Sequence, residues 1–181
     1  MKNNCIPSWR QKLKSLQNRE GKRTSTRWVQ LATINGENKP RVRTIVFRDW
    51  INTSSMLFFT DSRSKKVKDI TTNNNVEILW FFLKSKSQFR FQGTARIMKG
   101  KINQWNILSE NSKASWFWPS PGKPFEEIIN NNNLDINNKP DNFLQIQVDI
   151  NYVELLKLNA NIHKRYYWAK YQNWECLEIN P

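Results

Sequence analysis

The chain has 181 residues, with 29 Lys and Arg against 15 Asp and Glu, a formal charge of +14. A hydrophobic fraction of 38%, with 9 Trp and 10 Phe, excludes a disordered polyelectrolyte and is enough to build one core. The longest unbroken apolar run, Ile78 to Leu83, falls far short of the about 20 residues a membrane-spanning helix needs. The first residues lack the apolar segment of a secretory signal. Cys5 and Cys176 form neither a CxxC pair nor a disulfide framework. These features lead us to expect a cytoplasmic protein, a single domain over 1–181 with a helical arm at 1–23, and no metal site.

The charge is unevenly spread. Residues 1–48 carry a net +10, residues 49–100 a net +5 and residues 101–181 a net −1. Two readings stand side by side: an anion-binding surface in the first hundred residues, and coding bias. The 18 Lys, 24 Asn and 16 Ile against 5 Ala and 5 Gly are what AT-rich codons supply. Bias alone would spread the surplus more evenly.

In chain order, Pro7 to Glu20 reads as an amphipathic helix, because Trp9, Leu13 and Leu16 recur at helical spacing. A basic stretch, Gly21 to Arg27, precedes a strand from Trp28 to Ile34. Asn35-Gly36 signals a hairpin, and Arg41 to Phe47 alternates as the return strand. Met56 to Thr60 is a third strand. Asp61 to Ser64 offers an N-cap to a helix of about ten residues, with Val67 and Ile70 on one face. Val76 to Leu83, nearly all apolar, is expected to be central and buried on both sides. Gln88 to Met98 alternates again. Ile102 to Phe117 reads as a second long helix. Residues 118–142 form a covering loop with a helical turn near Phe125 to Ile129. Phe143–Ile150, Tyr152–Lys157 and Arg165–Lys170 into Trp174–Ile179 read as closing strands. About seven strands without βαβ alternation point to an α+β fold built on a small antiparallel barrel.

Four segments carry candidate chemistry. Arg41 and Arg43 share a strand face with Ile45 and Phe47, where guanidinium groups need an anion or open solvent. Arg48 falls on the opposite face unless a bulge intervenes. Thr60-Asp61-Ser62-Arg63-Ser64-Lys65-Lys66 runs from a strand end into a helix start, and is either a phosphate cradle or a plainly capped helix. Gln88 could face a heterocycle edge or solvent. His163, the only histidine, lies two residues from Arg165 and is either structural or functional. No GxGxxG, P-loop, HExxH or GxSxG pattern is present.

The order Arg43-Thr44-Ile45-Val46-Phe47-Arg48, Phe59-Thr60, Ser64-Lys65-Lys66, Gln88 and His163-x-Arg165 resembles the FMN-binding split barrel of pyridoxamine 5′-phosphate oxidase and its relatives. The resemblance runs from about residue 24 to the end. Trp116 to Gly122 is similar to a shorter branch of that family. It implies an antiparallel split β-barrel with Greek-key connections and flanking helices, FMN as cofactor, and a homodimer with FMN at the subunit interface. By this similarity Arg43 and Lys66 bind the FMN phosphate, with Arg63, Ser64 and Lys65 assisting. Thr44, Ile45, Val46, Phe47, Arg48, Phe59 and Thr60 line the cofactor. Gln88 and Arg165 approach the flavin ring.

On the substrate side the resemblance implies Arg48, Trp105, Ser109, Lys113, Asn161 and His163, with His163 and Arg48 placed as the catalytic pair. Asn161 stands where the oxidase has Arg. The implied reaction is oxidation of an amine or alcohol, pyridoxamine or pyridoxine 5′-phosphate, with O₂ as acceptor. A flavin reductase or FMN carrier with another substrate is a second reading. A basic nucleic-acid-binding barrel is the third, disfavoured because most aromatics alternate as core residues.

Overall fold

In the computed structural model, residues 6–125, 135–158 and 161–181 are described. The expected helical turn after Phe125 falls mostly outside them. Helix α1 covers Ser8–Glu20. Strands β1 (Trp28–Ile34), β2 (Pro40–Trp50) and β3 (Ser55–Asp61) precede helix α2 (Lys65–Thr72). Then come β4 (Asn75–Phe82), β5 (Ser87–Lys99), the short helices α3 (Ile102–Asn106) and α4 (Glu110–Ala114), and strands β6 (Phe143–Lys157), β7 (Lys164–Ala169) and β8 (Leu177–Ile179).

The strands lie in the order β3-β2-β1-β4-β5-β6-β7-β8, and β3 also pairs with β6, closing a six-stranded antiparallel barrel. The placement of β4 beside β1, after the β1-β2-β3 meander, is a Greek key. Closure removes the sheet edges that β3 and β6 would otherwise expose. Strand β6 explains why the barrel is split. Its first half pairs with β3, from Phe143↔Asp61 to Asp149↔Ser55. Its second half pairs with β7, from Tyr152↔Ala169 to Lys157↔Lys164. Asn151 is the extra residue at that switch, opposite a register shift between Gln92 and Gly93.

The barrel interior holds Val29, Leu31, Ile45, Phe47, Phe58, Ile78, Trp80, Phe89, Phe91, Ile146, Val148, Val153 and Leu155. Trp9, Leu13 and Leu16 of α1 join this core as the periodicity predicts. Three such side chains contribute roughly 1.5–3 kcal/mol each. Polar contacts anchor the helix ends: Trp168 Nε1 donates to Ser8 Oγ (2.9 Å) and the Lys84 amide to Glu20 Oε1 (2.8 Å). A smaller cluster of Trp105, Leu108 and Phe143, flanked by Phe59, Trp116 and Phe117, packs outside the barrel.

Several sequence expectations are corrected. Strand β4 is buried on one face only. Val76, Ile78, Trp80 and Phe82 point inward, whereas Phe81 is 43% exposed and Leu83, just past the strand, 74%. An all-apolar run masks alternation, because both faces carry the same residue type. The long helix over 102–117 is broken. Ser109 takes an extended conformation and caps α4 by accepting the Ser112 amide, so the chain restarts there. The 143–150 and 152–157 segments are one strand, continuous through the bulge. At the β1–β2 connection the left-handed residue is Asn38 (φ 57°), not Gly36. Asn35 Oδ1 accepts the amides of Glu37 and Lys39, making a longer side-chain-braced loop.

Candidate flavin site

Two clusters of polar residues emerge, on opposite faces of the sheet. The first lies where β3 runs into α2. Thr60 and Ser64 are buried and their hydroxyls lie 3.3 Å apart. Lys66, in the first turn of α2, donates to Thr60 Oγ1 at 3.2 Å and to Ser64 Oγ at 3.1 Å. Ser64 therefore spends its hydroxyl on the ammonium and makes no side-chain cap. Burial holds the Lys66 ammonium below its ordinary pKa and the nearby Arg43 charge adds to this, with Asp61 pulling the other way. A cation held by neutral hydroxyls beside another cation, at a helix N-terminus, is arranged to receive an anion.

Arg43 projects from the inner face of β2. It donates to Thr33 Oγ1 (2.6 Å), Leu31 O (3.2 Å) and Asp69 Oδ2 (3.2 Å). Asp69 on α2 also accepts from Arg41 (3.0 Å) and from Thr33 (2.9 Å), and is only 2% exposed. The two arginines thus have an internal carboxylate, which the sequence pattern alone did not reveal. Its signal was present: an Asp in the second turn of α2, next to the inward-packed Ile70. Burial lowers the Arg43 pKa, opposed by Asp69.

Arg63 is directed elsewhere. Its guanidinium grips Asp61, with Nη2 to Oδ2 at 2.6 Å, and reaches Trp118 O at 3.1 Å. Asn142 donates to the same carboxylate (2.9 Å) and to Trp116 O (2.9 Å). These contacts pin the 116–118 block to the start of α2. Lys65 is exposed.

The second cluster lies on the outer face. Gln88 pairs with Phe81 on one side and Leu156 on the other. Leu156 in turn pairs with Arg165. Gln88 and Arg165 therefore stand two strands apart in one row, with Cα atoms about 10 Å apart at the usual strand spacing. In the next row Glu154, 7% exposed, accepts from Arg90 and from Arg165 (2.8 and 3.2 Å). Tyr152 donates to the same carboxylate at 3.0 Å. Burial raises the Glu154 pKa, but the hydrogen bonds from Arg90, Arg165 and Tyr152 outweigh it and hold the group below its ordinary value. Burial and then Glu154 push the Tyr152 phenol up to about 12. Glu154 was not singled out by sequence, since an isolated Glu in a strand carries no pattern.

Arg48 sits at the bulge between Phe47 and Asp49 in β2, with its guanidinium carbon 5.2 Å from the Phe59 ring centre. Its Nε is buried without a hydrogen-bond partner among the described residues. Burial lowers its pKa and the Arg27 charge lowers it further. Lys113 Nζ lies 5.9 Å from the Trp105 ring. Trp105 itself is fully buried, its indole N–H donating to Ile136 O (3.0 Å). The Ser109 hydroxyl donates to Ser112 Oγ (2.9 Å) as part of the α4 cap. Thr44 is exposed on the outer face, and Val46 is half-buried. Asn161 and His163 are exposed in the segment entering β7.

The sequence model of the family "Pyridoxamine 5′-phosphate oxidase, FMN-binding domain" matches residues 6–99, just over half of the chain. The chain belongs to this family. FMN is its cofactor, and the Lys66–Thr60–Ser64 cluster fits a phosphate group. This family member is 25% identical to pyridoxine/pyridoxamine 5′-phosphate oxidase 2 of Arabidopsis thaliana, over 97% of this chain and 98% of that protein. It is 37% identical to the Deinococcus deserti oxidase over 93 residues, 51% of this chain and only 38% of that protein's length. Among solved structures it resembles a pyridoxamine 5′-phosphate oxidase-related, FMN-binding protein of Nostoc punctiforme, with a TM-score of 0.88 and 27% identity. That match covers 99% of this chain and 100% of the other. PhzG of Burkholderia lata, at TM-score 0.73 and 16% identity over 96% of this chain and 90% of the other, shares the fold.

Proposed function

We propose that the chain is an FMN-dependent oxidoreductase of the pyridoxamine 5′-phosphate oxidase type, acting as a homodimer on a small phosphorylated amine or alcohol. The observation that carries this reading is the Lys66 ammonium held by the Thr60 and Ser64 hydroxyls at the start of α2, beside Arg43. FMN held by Lys66, Thr60, Ser64 and Arg43 would supply a two-electron acceptor for oxidation of the substrate carbon.

In this reading Lys66, Thr60, Ser64 and Arg43 hold the cofactor phosphate, with Lys65 at the rim. Asp69 fixes the Arg43 fork before the ligand arrives. The strand from Thr44 to Phe47, with Phe59, lines the cofactor. Gln88 and Arg165 hydrogen-bond the ring, and Glu154 holds Arg165 in orientation. Arg48 and Lys113 face the substrate beside the Phe59–Trp105 cluster, with Asn161 and His163 approaching from the β7 entry. Arg63, engaged by Asp61, braces the Trp116–Trp118 block.

The homodimer is supported by the placement of the two clusters. Arg43 is on the inner side of the barrel, whereas Gln88 and Arg165 are on its outer face, so one chain does not wrap a single flavin. The outer face also exposes apolar side chains: Val42 is 67% exposed, Trp28 51% and Phe81 43%. A second copy covering this face would remove them from water and complete both sites.

Purified protein should be yellow and release FMN on denaturation. With pyridoxamine 5′-phosphate it should release hydrogen peroxide. Colourless protein that takes up no added FMN would refute the flavin assignment. A second reading, a flavin reductase or carrier, is favoured by Asn161, a neutral exposed residue where the oxidases place Arg. Retention of FMN without turnover of pyridoxamine 5′-phosphate would select it.

A further inference from the structure

Strand β6 runs between β5 and β7, so an outward side chain in its second half meets neighbours from both. Glu154 lies opposite Arg90 of β5 and Tyr167 of β7. Arg165, two residues from Tyr167 along β7, shares the same face. The Glu154 carboxylate is only 7% exposed and both of its oxygens are engaged. Oε1 accepts the Tyr152 hydroxyl at 3.0 Å. Oε2 accepts Arg90 Nη2 together with Arg165 Nε and Nη2, the last two at 3.2 and 2.8 Å.

Stability alone gives no reason for a carboxylate here, because replacing a buried ion cluster by apolar side chains is often neutral or stabilising. The two arginines are also held differently. Arg90 has a second carboxylate, Glu77, at 3.9 Å, whereas Arg165 pairs with Glu154 alone among the described residues. Glu154 takes the Nε–Nη2 edge of Arg165, and Nη1 makes no hydrogen bond among the described residues. A planar guanidinium gripped along one edge presents its remaining donors in a fixed direction. Gln88, Leu156 and Arg165 form the neighbouring outward row, and Gln88 and Arg165 are the two residues assigned to the flavin ring.

We propose that Glu154 is a positioning residue that sets how readily the bound flavin accepts electrons, by holding Arg165 along one edge and by offsetting the positive charge of Arg165 and Arg90. The proposal rests on the placement of Arg165 at the flavin ring, and adds to it a carboxylate that acts only through that arginine. A cation beside the ring favours its electron-rich reduced form, and an anion behind the cation weakens that preference. Two arginines and one ionised carboxylate leave a single net positive charge in the cluster. Loss of Glu154 doubles that charge, and loss of Arg90 cancels it. A purely structural brace has no such sign, since removing either partner loosens the same contacts.

The test is the midpoint potential of FMN in the loaded protein at pH 7, read against a reference dye during anaerobic reduction. Glu154→Gln keeps an acceptor in place and should shift the equilibrium about tenfold toward reduced FMN, which is about 30 mV upward for two electrons. Arg90→Gln should shift it about threefold the other way, about 15 mV downward. Tyr152→Phe removes a hydrogen bond to Glu154 but no charge, and should change the equilibrium by less than about twofold. An unshifted midpoint in either charge variant, or shifts of the same sign in both, would overturn the proposal. Should Glu154→Gln fail to fold, Arg90→Gln decides alone: a downward shift supports the proposal and any other result overturns it. The flavin reading fails separately. Wild-type protein that takes up no FMN overturns that reading and the proposal with it, whereas protein that holds FMN at one midpoint in every variant overturns the proposal alone.

Discussion

Replacement of Lys66 by Met removes the ammonium from the cluster on α2 while keeping a side chain of similar length. The Thr60 and Ser64 hydroxyls, 3.3 Å apart, can then satisfy each other. One charge-assisted contact to a phosphate is worth about 1.5–3 kcal/mol, so the FMN dissociation constant should rise by about 10- to 150-fold. Riboflavin, which has no phosphate, should bind the variant and the wild type within about twofold of each other, by the same arithmetic. Flavin fluorescence quenching measures both ligands. Equal losses for FMN and riboflavin, or no loss for either, would refute the placement of the phosphate at Lys66.

The same substitution has a signed effect on the empty protein. Burial and the Arg43 charge depress the Lys66 pKa in the folded state. The unfolded chain therefore binds that proton more tightly, and at neutral pH the Lys66 charge opposes folding. The opposition fades as pH rises through the depressed folded value and is gone above the unfolded value of about 10.4. Flavin-free Lys66→Met protein should accordingly be no less stable than wild type at pH 7. Any advantage it holds should vanish above about pH 10 in urea unfolding measured across that range.

Asp69→Asn should lower the unfolding free energy by about 3 kcal/mol, because it leaves Arg41 and Arg43 without their shared carboxylate. The lower end of the range for buried pairs applies since Arg41 is 39% exposed, and denaturant midpoints read the effect. Spectrophotometric titration should find one of the four tyrosines ionising at about 12, and Glu154→Gln should bring that late phase down toward 10. Because the folded Glu154 pKa is depressed, the stability it supplies is full above the unfolded value of about 4.3 and is lost as pH falls through the folded one. Glu154→Gln should therefore flatten the acid limb of the stability curve below about pH 4.5. Trp105→Ala should cost about 3–5 kcal/mol, as for other fully buried aromatics, and loosen the 135–142 segment through loss of the bond to Ile136 O.

Local chemistry alone determined much of this protein. Helix α1 was legible because a helix buries residues at a spacing that any folded context preserves. Strands β1, β2 and β5 were legible for the same reason at period two. The Thr60 to Lys66 segment could be read as an anion cradle because hydroxyls, cations and a helix start were adjacent in the chain, and adjacency survives folding. Tertiary structure decided the rest. That Arg41 and Arg43 meet Asp69 depends on α2 closing against β1 and β5. That Glu154 collects Arg90, Arg165 and Tyr152 depends on the register of three strands far apart in sequence. The apolar run in β4 hid which of its faces is covered, and the break at Ser109 hid inside a helical pattern, because neither periodicity nor propensity records the competing hydrogen bond. The surplus charge shows both levels at once: composition located it before residue 100. Only the fold divided it between a braced pair at Asp69, a cluster at Lys66 and Arg90 held by Glu154, since pairing is set by distances that sequence does not contain.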